Sequence, residues 1–129
     1  MIKDLGLGAR SIIDLIGNTP VVRLTPKRDK VQVLIKLEGL NPSGSIKDVA
    51  ALHMVLHAEK KGLLEEGDTI IESSSGNTGI ALAMIGAVRG YNVVIVLPRS
   101  VSEERLKVLR AYGAEVILVS GDSEDARER

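Results

Sequence analysis

The stretch I-E-S-S-S-G-N-T-G-I-A-L-A (residues 71–83) opens as the end of an apolar strand, continues as a loop of small polar residues, and closes as the start of an Ala-rich helix. Ser73, Ser74, Ser75, Gly76, Asn77 and Thr78 offer hydroxyls, an amide and backbone N–H groups but no ionisable side chain. The helix aims its unpaired N–H groups at whatever occupies the loop, and the glycines let the backbone come close to it. A negative group there gains roughly 0.3–1 kcal/mol from the helix dipole at an exposed terminus. The loop therefore suits an anion, phosphate or carboxylate. An ordinary N-cap needs a single Ser, Thr or Asn, and this run of small and polar residues exceeds that need.

Outward from this loop the chain repeats one theme. The apolar, β-branched runs D-T-I-I-E, N-V-V-I-V-L and A-E-V-I-L-V recur at similar spacing with helical patterns between them, a βαβαβ series. Apolar residues at consecutive positions are expected of parallel strands covered on both faces, so the reading is an α/β protein with an open parallel three-layer sheet. The first crossover helix runs from about Gly76 to Arg89 and ends at Gly90. The second is announced by Ser102-Glu103-Glu104 and closed by Gly113. An earlier helix spans about Ser45 to Lys61, stopped by Gly62. Ahead of it, P-V-V-R-L and V-Q-V-L-I-K-L read as a strand pair around a polar turn. After Ser120, G-D-S-E-D-A-R-E-R begins a polar helix that stops short of the usual 8–20 residues. The expectation is that the chain is the front part of something longer, or a truncated remnant of it.

Composition narrows the function classes. The 129 residues are 44% hydrophobic and 26% charged, as in a soluble globular domain, and the formal net charge is zero. No broad basic field exists to attract nucleic acid or an anionic membrane, and P-K-R-D-K reads as a solvated turn. The absence of cysteine excludes disulfides, thiolate nucleophiles and cysteine metal sites. M-I-K-D-L-G-L-G-A-R has no apolar run of signal-peptide length, and no stretch approaches membrane-spanning length, so the expected location is the cytoplasm.

The second unusual stretch is L-E-G-L-N-P-S-G-S-I-K-D (residues 37–48). Asn41 to Ser45 form a turn-rich loop, and Lys47 falls in the first turn of the helix it feeds. A cation there sits at the unfavourable end of the helix dipole, and a neutral amine is the form that attacks a carbonyl to make a Schiff base. Lys47, Ala51, Met54 and Ala58 share a helix face with no acid on it. The plainer reading is a surface lysine answered locally by Asp48. In an open parallel sheet, loops that open helices collect along the carboxyl ends of the strands, where ligands bind. An activated lysine beside an anion cradle suggests pyridoxal phosphate chemistry on an amino acid.

N-P-S-G-S-I-K-D followed by E-S-S-S-G-N-T-G-I-A-L-A resembles the fold type II pyridoxal-phosphate enzymes, specifically the cysteine synthase (O-acetylserine sulfhydrylase) family. I-G-N-T-P-V-V-R-L, K-L-E-G, A-L-A-M-I-G-A-V-R-G-Y and R-A-Y-G-A-E-V-I-L-V most resemble the bacterial B isoform, so the similarity covers nearly the whole chain. The resemblance implies that Lys47 is the Schiff-base lysine and then the proton carrier at the substrate α-carbon. It implies that Asn77 holds the 3′ oxygen of pyridoxal 5′-phosphate, and that Ser74, Ser75, Gly76, Asn77 and Thr78 bind the substrate α-carboxylate. The implied reaction is β-replacement: acetate leaves O-acetylserine and sulfide adds to give cysteine. A homodimer is implied for the complete protein. Residues 1–40 would belong to the larger domain and 41–129 to the smaller α/β domain. Val49 stands where an Arg is common in the family, and Ser74 where many members have Thr. O-phosphoserine and serine users share much of the pattern, which leaves the leaving group open. The family's Gly-rich loop for the cofactor phosphate is implied to lie in a further half outside these residues, so the chain alone is expected to be inactive.

Other readings compete. His53 and His57 are four residues apart on one helix face, but no H-E-x-x-H pattern and no third ligand follow, so they read as exposed helix histidines and no metal site is expected. Leu106, Leu109 and Leu118 are core by spacing. A dinucleotide-dependent oxidoreductase would share the βαβ unit, yet the loop lacks G-x-G-x-x-G and the next strand ends V-L-P-R rather than in an acid. A non-catalytic binding module that keeps the motifs is the non-enzyme alternative.

Overall fold

The computed structural model describes residues 9–24, 31–74 and 76–120. A short 3-10 turn (Ile12–Leu15) leads into β1 (Val21–Arg23), which pairs antiparallel with β2 (Leu34–Lys36). A second 3-10 turn (Glu38–Leu40) precedes α1 (Lys47–Lys60). Then follow β3 (Thr69–Ser73), α2 (Asn77–Arg89), β4 (Asn92–Pro98), α3 (Glu103–Ala111) and β5 (Glu115–Val119). The expected βαβαβ series, the strand pair and the preceding helix are all present. The P-K-R-D-K turn and the polar helix after Ser120 lie outside the described residues.

β3, β4 and β5 form a parallel sheet in that order, with Ile70 opposite Val93 and Ile95 opposite Val116. Strand alternation sends Ile70, Val93, Ile95, Leu97, Val116 and Leu118 to one face. There they pack with Ala83 of α2 and Leu109 of α3 in one apolar cluster, with Leu106 at its margin. The opposite face carries Ile71 and Ile117, which are 68% and 43% exposed, and no helix covers it among the described residues. Both faces are thus apolar, as the consecutive runs predict, while the described helices supply the cover for one.

α2 is the centre of the molecule. Every residue from Ala81 to Gly86 is buried, because α2 meets α1 on one side and the sheet and α3 on the others. Ala51 and Val55 of α1 join Ala81, Leu82, Met84 and Ile85 of α2 in a second cluster. Gly86 sets how closely α2 approaches the sheet, since a Cβ there would lie 2.3 Å from Val93 Cγ2. Gly90 (φ +78°) ends the helix in the left-handed conformation, its N–H donating to the Gly86 carbonyl.

The carboxyl-terminal ends of α1 and α2 are tied together by Glu59. Arg89 Nε and Nη2 each donate to a Glu59 carboxylate oxygen at 2.5 Å, and the Tyr91 hydroxyl donates to Oε1 at 2.5 Å. The fork of two parallel N–H···O bonds is the strong form of the ion pair. The Arg89 hydrogen bonds, then that of Tyr91, hold the Glu59 carboxyl below its ordinary 4.5.

Two outcomes follow from this packing. Gly86→Ala gains about 1 kcal/mol of helix propensity but overpacks a tight contact at about 1–3 kcal/mol; urea denaturation should show a net destabilisation. A depressed folded pKa makes Glu59 stabilising above 4.5, and that contribution is lost as pH falls through the lower folded value. Unfolding measured from pH 7 to pH 3 should therefore fall less steeply in Glu59→Gln, whose stability is already reduced at neutral pH.

Candidate active site

The Glu59–Arg89 tie fixes the relative height of the two helices. Lys47 precedes Glu59 by twelve residues and Asn77 precedes Arg89 by twelve, which at 1.5 Å per residue puts both about 18 Å from the tie. The same thirty-residue offset relates Ala51 to Ala81 and Val55 to Ile85, all in the shared cluster. α1 and α2 therefore run parallel and in register, with Lys47 and Asn77 level at their amino ends. β3 feeds directly into α2, so this end lies at the carboxyl edge of the parallel sheet, where the sequence reading expected ligand-binding loops.

The two amino ends are finished differently. At α1 the loop satisfies its own backbone: Ser45 Oγ accepts from Lys47 N–H at 3.0 Å, the Ser45 carbonyl from Asp48 N–H, and the Ile46 carbonyl from Val49 N–H. At α2 the N-cap residue is Gly76, and no side chain caps the helix. Among the described residues no acceptor meets the N–H groups of Asn77, Thr78 and Gly79. Ser74 Oγ takes the Gly76 N–H at 3.3 Å, and a Cβ at Gly76 would meet open space. Ser73 Oγ is buried at the end of β3 with no hydrogen-bond partner among the described residues. The run of polar residues is thus not spent on an ordinary cap. Ser75 lies outside the described residues.

Lys47 is solvent-exposed, and its side chain has no hydrogen-bond or ion-pair partner among the described residues. The reading that Asp48 answers it locally is corrected by the structure. Asp48 is fully buried and turns back to the loop, where its carboxylate accepts from Ser43 N–H at 2.7 Å and from the Ser43 hydroxyl. A buried carboxylate needs hydrogen-bond donors, and the turn at Ser43 supplies them.

The next layer was not singled out in the sequence. Asn41, 3% exposed, accepts from Gly17 N–H at 2.8 Å and donates to the Glu38 carbonyl and carboxylate at 2.8 and 2.9 Å. The hydrogen bond from Asn41 holds the Glu38 carboxyl below its ordinary value. Lys36 Nζ donates to the carbonyl and hydroxyl of buried Thr19 at 2.8 and 2.5 Å. These bonds tie I-G-N-T-P to K-L-E-G-L-N-P, and Val49 packs beside them, 3.9 Å from the Cβ position of Gly17. The sequence signal was available: Asn, Thr and Ser concentrated in segments that the chain must bury.

The donor set of open amides and hydroxyls, with an unpaired lysine level with it and no acid among Ser74, Gly76, Asn77 and Thr78, fits a carboxylate-bearing ligand and an aldehyde cofactor. Residues 12–129 match the family described as pyridoxal-phosphate dependent enzyme, and the chain belongs to that family, whose members use pyridoxal phosphate. It is 53% identical over 111 residues to a probable cysteine synthase of Bacillus subtilis (strain 168), covering 84% of this chain and 36% of that protein. It is 49% identical over 123 residues to cysteine synthase B of Pseudomonas syringae pv. syringae, covering 92% of this chain and 73% of that protein. The crystal structure of a hydrogen sulfide-producing enzyme from Fusobacterium nucleatum superimposes with a TM-score of 0.86 at 50% identity, over 96% of this chain and 41% of that one. The chain thus spans between about a third and three quarters of the length of these relatives. No helix among the described residues is long and apolar enough to cross a membrane.

The buried role of Asp48 sets up a contrast with its neighbour. Asp48→Ala strips the Ser43 donors of their acceptor and should cost about 1–3 kcal/mol, whereas Lys47→Ala, at an exposed position, should stay within about 0.5 kcal/mol. Urea denaturation of the two variants checks both figures.

Proposed function

We propose that this chain carries the lysine and the carboxylate cradle of a cysteine synthase-type enzyme, which replaces the β-substituent of O-acetyl-L-serine, or a related activated serine, with sulfide. The observation that carries the reading is that the amino end of α2 and the Lys47 side chain, level with one another, both lack a partner among the described residues. In this reading residues 41–129 form the smaller α/β domain. Residues 1–40 belong to the larger one, and the exposure of β1 and β2 supports that division, with Val21 at 54% and Leu34 at 59%. The complete protein is a cytoplasmic homodimer.

Each residue then has a task. Lys47 would hold the cofactor and would move the proton at the substrate α-carbon. The amides of Asn77, Thr78 and Gly79, with the hydroxyls of Ser74, Ser75 and Thr78, bind and orient the α-carboxylate, gaining from the helix dipole because the group is negative. Gly76 keeps the entrance open, and the Asn77 side chain bonds the 3′ oxygen of the cofactor. Pyridoxal phosphate, when bound, supplies the electron sink that stabilises negative charge at the α-carbon. The protein contributes position and orientation. The sulfide chemistry named for the Fusobacterium relative supports sulfide as the nucleophile or product of such a site.

The test uses the chain joined to the C-terminal region of a cysteine synthase relative. Borohydride reduction of the cofactor-loaded protein followed by peptide mapping should label Lys47, and the protein should form L-cysteine from O-acetyl-L-serine and sulfide. Label on Lys36 or Lys60 would overturn the assignment.

A further inference from the structure

α1 has a second face that the site does not use. Ala51 and Val55 are buried against α2, while His53 and His57 are both exposed and point away from that contact. The helix is unbroken from Lys47 to Lys60, so residues four apart stand one above the other with Cβ atoms about 5–6 Å apart. Two imidazoles at that separation can rotate to present one nitrogen each to a single ion at about 2.0–2.1 Å. Neither histidine has a hydrogen-bond or ion-pair partner among the described residues, so no existing contact must break for them to converge.

The surroundings add chemistry to the spacing. A shallow depression of about 510 Å³ is lined by Ala50, His53, Met54, Leu56, His57 and Lys60. It leaves room for an ion that keeps water in its remaining positions. Met54, 55% exposed on the adjoining part of the face, adds a soft thioether. No carboxylate lines the depression, which disfavours hard, oxygen-seeking Mg²⁺ or Ca²⁺. Neutral imidazole and thioether donors favour the late first-row ions, with Cu²⁺ at the top of the series. Lys60 is the one opposing charge, so the site is weak rather than structural. The want of a third protein ligand, which set the pair aside in the sequence, limits affinity but does not forbid a two-point chelate.

We propose that His53 and His57 form a surface chelate for a late first-row transition-metal dication, separate from the candidate active site and on the opposite flank of α1. Calorimetric titration of the 129-residue chain with CuCl₂, NiCl₂, ZnCl₂ and MgCl₂ tests it. One Cu²⁺ should bind per chain, more tightly than Ni²⁺ or Zn²⁺, with no response to Mg²⁺. His53→Ala or His57→Ala should each weaken Cu²⁺ binding by about tenfold or more, and Lys60→Glu should tighten it by removing a cation and adding a carboxylate. Circular dichroism checks that each variant retains its helices. Should a variant misfold, modification of the wild-type chain with diethyl pyrocarbonate is the independent readout: Cu²⁺ should protect His53 and His57 together. Undiminished Cu²⁺ affinity in the folded double variant, or histidines modified equally fast with and without Cu²⁺, would overturn the proposal.

Discussion

The arrangement depends on two helices packed parallel and in register. Parallel neighbours set like dipole ends side by side, an unfavourable electrostatic choice that antiparallel bundles avoid. Here the two carboxyl ends are held together by the hydrogen bonds from Arg89 and Tyr91 to the Glu59 carboxylate. Between the ends, Ala51 and Ala81 are both fully buried. At the other end Asp48 places a carboxylate in the first turn of α1, whereas the first turn of α2 carries no acid. A position that collects donors and positive potential, and lacks an acceptor, is complementary to an anion before any ligand arrives.

The two amino ends differ in how their hydrogen bonds are used. At α1, Ser43, Ser45 and Asp48 consume one another's hydrogen bonds, which fixes the backbone and leaves the Lys47 side chain unencumbered. At α2 no acceptor among the described residues meets the first backbone donors, and Gly76 offers no side chain to cap them. Neither N-cap residue, Ile46 or Gly76, makes a side-chain cap bond; the difference rests on Ser45, whose hydroxyl and carbonyl take the Lys47 and Asp48 N–H groups.

Much of this was legible in the sequence, for local reasons. The apolar runs fixed β3, β4 and β5 because a strand covered by a helix must be apolar. Gly90 and Gly113 marked helix ends because each adopts a positive φ. Lys47 and the Ser74–Thr78 loop stood out because neither composition suits an ordinary helix start. What could not be read was pairing at a distance. Asp48 looked like a partner for the adjacent lysine, yet a tight turn brings Ser43 to it instead. Glu59 and Arg89 are thirty residues apart and carry no local mark of their contact. The apolar pattern of Ile71 and Ile117 demands cover without saying what provides it. β1 and β2 are shorter than their apolar runs, and with both strands exposed no packing layer among the described residues extends the ribbon.

The matched spacing from the Glu59–Arg89 tie to Lys47 and to Asn77 makes the chain unequally tolerant of insertions. One extra residue inside either helix would lift its amino end by about 1.5 Å and turn it by about 100° relative to the other. The lysine and the cradle would then part company while both helices stayed intact. The same residue added between Gly62 and Gly67 would be absorbed by the connection, because the Glu59–Arg89 tie sets the helix heights independently of the path between them. The helices behave as a ruler of fixed graduation and the loop as slack, so an added residue is absorbed at the end farthest from the candidate site.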